Sequence, residues 1–249
     1  MAYPIDTTEA LAILPSLTVS TTDNSVGNTS LTELITSKTE QVQQILYPRR
    51  YKNNNYQSPT NHQKDIINVC TQVKVWNEIV GRRLANVNES NYAFMVKFLS
   101  TLDLYLSKAL FNGYFYASFR TDRLAQVQLA TALECSYNVP SMATPSSTTK
   151  PTLDIINVWC KQWSSVVYSY AKPLGNFATP SSINDLPAKV ATYYNDCVSM
   201  LVGSLIAIVH STEYQEPKAM YQFAVQLFND GLQLLENLRL NKVLFIPNL

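Results

Sequence analysis

Residues 65–84 read DIINVCTQVKVWNEIVGRRL. Ile66, Val69, Val73, Trp76, Val80 and Leu84 follow one another at steps of 3, 4, 3, 4 and 4. That spacing gathers apolar side chains on one face of an α-helix and fits no strand. Working outward, the C-terminal side keeps the period through Phe94, Phe98, Leu102, Leu106 and Leu110, in a long helix expected to bend near Asn112-Gly113. Leu124, Val127, Ala130 and Leu133 predict a further helix. On the N-terminal side a polar loop, 48–61 (PRRYKNNNYQSPTN), separates the deciding stretch from Leu31, Leu34, Ile35, Val42, Ile45 and Leu46. Ser30 and Glu33 form a capping box at the start of that helix, and Pro48 stops it. Asp6 and Glu9 form another box before Ala10, Leu11, Ile13 and Leu14, with Pro15 as the stop.

The helical period resumes beyond 138–151 (NVPSMATPSSTTKP), the stretch richest in Pro, Ser and Thr. Ile156, Trp159, Trp163, Val167 and Tyr170 share a face that ends before Pro173 and Gly175. Asp185 and Pro187 introduce a helix with Val190, Tyr194, Cys197, Leu201, Leu205 and Val209 inward. Pro217 opens the last helix, striped by Met220, Phe223, Leu227, Leu234, Leu235 and Leu238. No segment alternates as a strand does, so the expected fold class is all-α with two packed helical lobes. The expected organisation is an extended N-terminal arm (1–29), a basic helical lobe (30–137), a linker (138–151), a second helical lobe (152–241) and an apolar C-terminal tail (242–249). Asp-Ile-Ile-Asn-Val occurs at 65–69 and again at 154–158, each time opening an amphipathic helix. Two readings of this recurrence stand. One is a duplicated three-helix unit (65–137 and 152–241), each copy carrying Val-Gln-Leu in its third helix at 127–129 or 225–227; the other is a shared helix-opening phrase.

Composition removes most chemistry. The 249 residues include 46% hydrophobic and 15% charged residues, with a net charge of +1, which fits a folded chain with a large core. Only 6 are glycine, and no GxGxxG, GxxxxGK[ST] or GxSxG occurs, so phosphate-cradling loops and nucleophile elbows have no sequence basis. His62 and His210 have no His or Cys at ligand spacing, and Cys70, Cys135, Cys160 and Cys197 form no CxxC pair. No metal, cofactor or catalytic residue is therefore expected, and the cysteines read as buried structural thiols. Asp103, among Leu102, Leu104 and Leu106, is expected on the wet face of its helix. Met1–Ser20 has no basic residue and is broken by Pro4 and Pro15, unlike a signal peptide, which points to an intracellular or virion protein. The longest apolar run, Val198–Val209, is about 12 residues, below the roughly 18 to 20 that span a bilayer, and is expected as a core helix with no membrane partner.

Charge is distributed unevenly. From Lys38 to Arg123 there are 12 Lys or Arg against 6 Asp or Glu, while the rest of the chain carries 7 bases against 12 acids. Six of the 7 arginines lie there as the pairs Arg49 with Arg50, Arg82 with Arg83, and Arg120 with Arg123. A planar guanidinium donates two parallel hydrogen bonds to one oxyanion, which suits phosphate. Tyr47, Tyr51 and Tyr56 interleave with the first pair and Lys52, the mixture of stacking faces and cations that holds single-stranded RNA or DNA. The candidate nucleic-acid contacts are therefore Arg49, Arg50, Tyr51, Lys52, Arg82, Arg83, Arg120 and Arg123. Leu244, Phe245 and Ile246 in the tail are candidate subunit contacts. The expectation is a non-enzymatic assembly protein of the coat or nucleocapsid kind, self-associating as an oligomer or filament. The alternative is a monomeric helical adaptor that takes a protein or an apolar ligand between its lobes.

Overall fold

The computed structural model describes residues 5–11, 30–46, 61–86, 90–111, 128–171, 182–210 and 217–239. All the described regular structure is helical: α1 (Thr7–Leu11), α2 (Leu31–Leu46), α3 (Asn61–Asn86), α4 (Ser90–Phe111), α5 (Ala132–Tyr137), α6 (Leu153–Ala171), α7 (Ala188–His210) and α8 (Pro217–Arg239), with one 3-10 turn at Ile183–Asp185. Both capping boxes read from the sequence form. The Glu9 amide donates to Asp6 Oδ1 at 2.8 Å and the Asp6 amide to Glu9 Oε2 at 3.3 Å. At α2 the Ser30 amide donates to Glu33 Oε2 at 2.8 Å and the Glu33 amide to Ser30 Oγ at 3.2 Å. Each box satisfies donors that the first helical turn leaves without a partner.

Two helices carry long fully buried stretches, Asp65–Val73 of α3 and Leu201–Val209 of α7, and organise the rest. α3 is packed by α1, α2, α4 and α6; α7 is packed by α5, α6 and α8. α6 touches both, and there Trp76 and Trp159 meet edge to face with ring centroids 5.8 Å apart. α4 and α8 join through Phe98 on Phe228 (5.5 Å), Phe94 on Tyr221 (4.9 Å) and Tyr105 on Phe228 (6.4 Å). The aromatic stripes are thus core contacts, and one buried apolar cluster runs through helices from both sides of 138–151. That segment folds on itself: Thr149 Oγ1 donates to the carbonyls of Ser146 and Pro151, each at 3.0 Å, and Val139 and Pro145 are buried.

Three expectations need correction. α3 does not bury one face only, because Asp65 to Val73 are all buried, polar residues included. Four helices pack on α3 along its length, and periodicity of apolar residues cannot register that. Second, Leu129 and Ala130 precede a helix instead of sitting inside one. Thr131 caps α5 in a box with Glu134, the Leu129 amide donates to Ser164 Oγ at 2.9 Å, and its carbonyl accepts from Asn195 Nδ2 at 3.0 Å. Side chains from α6 and α7 therefore replace the helical partners of that backbone. Gln128 and Leu129 are non-helical where 225–227 is helical, and Asp65 and Asn68 are buried where Asp154 and Asn157 are exposed. Third, the apolar run is not a 12-residue stretch on its own but part of the 23-residue α7, long and apolar enough by length and composition to cross a membrane; it is a core helix as expected, with 72% of its most apolar 18-residue stretch buried.

α7 and α8 approach closely at Gly231, where a Cβ would lie 2.9 Å from Leu201 Cγ. Gly81, in α3, has no neighbour among the described residues within 4 Å of a Cβ. Both are helical, so alanine gains about 1 kcal/mol of propensity at either site, but at Gly231 overpacking costs about 1–3 kcal/mol. Urea unfolding is expected to show Gly81→Ala stabilised and Gly231→Ala destabilised. Two shifts of the same sign would contradict the close approach.

Candidate functional site

Of the sequence-derived candidates, Arg82 is described in full. Its Nε donates to Glu78 Oε1 at 2.7 Å, one turn back on α3, and Lys38 Nζ on α2 reaches Glu78 Oε2 at 3.4 Å. Burial alone would raise the Glu78 carboxyl; the hydrogen bond from Arg82 and the two nearby cations outweigh it and hold the group below its ordinary value. The cluster keeps one net positive charge, and the Arg82 side chain remains 36% exposed. The contact through Nε uses one of five guanidinium donors. Arg83 follows on α3 with its side chain outside the described residues, where Arg49, Arg50, Tyr51, Lys52, Arg120, Arg123, Leu244, Phe245 and Ile246 also lie. Other described lysines in the same stretch, Lys97 and Lys108, are exposed.

Asp103 is not a solvated residue of the wet face. Lys74 Nζ on α3 lies 2.7 Å from Asp103 Oδ1 on α4 and 3.0 Å from Ser107 Oγ, and the two charged side chains are only 15% and 24% exposed. The ion pair staples α3 to α4, which places one acid and one base of the basic segment in mutual neutralisation.

Sequence reasoning missed the seat of the N-terminal segment. α1 is described over Thr7–Leu11, little more than one helical turn, and two of its carbonyls are held from outside the helix. Gln72 Nε2 donates to the Glu9 carbonyl at 3.1 Å and Trp76 Nε1 to the Ala10 carbonyl at 2.9 Å. Gln72 and Trp76 are four apart and so share a face of α3, from which they cap α1. Ile5 and Ala10 enter the core beside them. The signal in the sequence was the Asp6-Glu9 box, which announced the helix but not its partner.

A seam of buried polar groups lies between α3 and α6. Ser165 Oγ donates to Asp65 Oδ2 at 2.9 Å, while Thr71 Oγ1 and Trp159 Nε1 have no hydrogen-bond partner among the described residues. The four cysteines are free and buried. Cys135 and Cys160 have their sulfurs 3.4 Å apart. That contact and burial push the Cys135 thiol far up, and burial pushes Cys70 up to about 12 and raises Cys197 as well. A thiol so raised supplies no thiolate near neutral pH. Among the described residues no group of three or more His, Cys, Asp or Glu is arranged to hold a metal.

Glu9 is a buried carboxyl whose titration is moved towards neutrality. Burial, then the Asp6 carboxylate and more weakly that of Asp65 on α3, raise it to about 7, against the Asp6 amide bond and the amino-terminal charge. Lys38 on α2, which also touches α1, is held by Glu78 instead. A carboxyl raised in the docked state binds its proton there more tightly than when free. Docking is therefore strongest below about 4.5, weakens as pH rises through about 7, and levels off above. Hydrogen exchange of residues 5–11, corrected for intrinsic base catalysis, should show protection falling between pH 5 and pH 8. Glu9→Gln, which keeps the capping box, should flatten that profile; an unchanged slope would remove Glu9 as its source.

Comparisons with protein-family models, with curated proteins and with solved structures found no match.

Proposed function

We propose that this chain is a non-enzymatic, self-associating structural protein of the coat or nucleocapsid kind, whose segment 38–123 contacts the phosphates of single-stranded nucleic acid. The observation that carries the reading is the concentration of 12 bases against 6 acids there, in a chain of net charge +1. Arginine pairs and interleaved tyrosines supply the two contacts that such recognition uses, neutralised phosphates and stacked bases. Lys38 and Arg82 share the single carboxylate of Glu78, which leaves one positive charge over at the partly exposed Arg82, and Lys74 is matched by Asp103; the rest of the surplus falls on the other arginines and lysines of the segment.

The reading is tested by the anisotropy of a fluorescent single-stranded oligonucleotide titrated with the full chain at several salt concentrations. Binding is expected with log K falling linearly against log salt, at a slope near −0.7 per phosphate engaged. An absence of binding at low salt would contradict the phosphate contacts. A slope of zero would do the same.

A further inference from the structure

We propose that residues 5–11 of one copy dock on α3 of a second copy, so that self-association proceeds by exchange of the N-terminal segment. This deepens the assembly reading above and rests on it.

The seat is made by side chains of α3. Gln72 and Trp76 receive the carbonyls of Glu9 and Ala10, and neither bond depends on the segment and the seat belonging to one chain. Thr7–Leu11 make little more than one helical turn, and the helical form of this segment is supported by the surface it meets. Ile5 and Ala10 supply the apolar part of the contact.

The connection permits exchange. Residues 12–30 separate α1 from the start of α2, and 19 residues fully extended would reach at most roughly 65 Å. A compact chain of this length is about 45 Å across. A seat on an adjacent copy is therefore within reach, and a connection this long favours its own seat only through an effective concentration in the millimolar range or below. In an assembly the neighbouring seat is present at a comparable local concentration. Exchange of an identical element then replaces each internal contact by the same contact between copies, at little net cost.

The test titrates the full chain with a synthetic peptide of residues 1–14, followed by light scattering and by anisotropy of the labelled peptide. The peptide is expected to bind and to lower the average mass at least twofold, towards the 28.0 kDa of one chain. A peptide that leaves the mass of an oligomeric protein unchanged, bound or not, overturns exchange while self-association stands. A full chain that already measures 28.0 kDa without peptide contradicts self-association itself. A second variant lacking residues 1–11 is expected to stay monomeric and to bind the peptide at least tenfold more tightly, its seat being open. An oligomer of unchanged mass in that variant also overturns exchange, and if the variant fails to fold, the titration of the full chain decides.

Discussion

Trp76→Ala is expected to destabilise the protein by about 3–5 kcal/mol, the range for removing a large aromatic side chain from a packed core. Trp76 has no exposed surface and stands where α3, α6 and α1 meet. Truncation removes its edge-to-face contact with Trp159 and leaves the Ala10 carbonyl without its donor. The informative comparison is between the two phenylalanine variants. Trp76→Phe loses volume and also a buried hydrogen bond worth about 0.5–1.5 kcal/mol. Trp159→Phe loses the same volume but removes a buried indole N–H that has no partner among the described residues, which offsets part of the loss. Chemical denaturation should therefore rank Trp159→Phe above Trp76→Phe in stability, and only Trp76→Phe should lower hydrogen-exchange protection at residues 5–11. Equal losses in both variants would contradict the distinct roles given to the two indoles.

Replacing Arg49, Arg50, Arg82 and Arg83 together by Ala is expected to weaken oligonucleotide binding by more than two orders of magnitude. Each phosphate neutralised on a single strand contributes about fivefold at 0.1 M salt, from a slope of about 0.7, so four contacts amount to roughly 600-fold. The slope itself should become shallower by about 3. Net charge alone would also weaken binding, and a second variant separates the two effects. Lys150, Lys161, Lys189 and Lys218 lie outside the basic segment, and replacing these four by Ala removes the same charge. Anisotropy at two salt concentrations should show the arginine variant severely impaired and the lysine variant close to the parent. Similar losses in both would mean that location does not matter, and would remove the basis for a phosphate face.

The helical class was legible because α6, α7 and α8 bury the residues that their spacing put on one face: Ile156, Trp159, Trp163 and Val167 in α6; Val190, Tyr194 and Leu201 in α7; Met220, Leu227 and Leu235 in α8. The Asp6-Glu9 and Ser30-Glu33 boxes were legible for the same local reason, since a box needs only residues three apart. The surroundings of α3 were not legible. Asp65, Asn68, Thr71 and Gln72 look like a solvated face in sequence, and their burial depends on α1 and α6 arriving from distant parts of the chain. The start of α5 was misplaced because Leu129 and Ala130 continue an apolar pattern, while their backbone is claimed by Ser164 and supported by Asn195 from other helices. Of the candidate site, sequence conveyed the sign and the segment of the charge. It could not convey that Glu78 draws in Lys38 and Arg82, or that Lys74 is turned to Asp103, because such pairings are set by the distances between helices.

The central claim is that this chain assembles with itself around nucleic acid. Size-exclusion chromatography with light scattering at low and high salt, recording absorbance at 260 and 280 nm, tests it most directly. The expected result is a species several times 28.0 kDa that carries nucleic acid at low salt and releases it as salt rises. A single 28.0 kDa species free of nucleic acid at both salt concentrations would contradict the account.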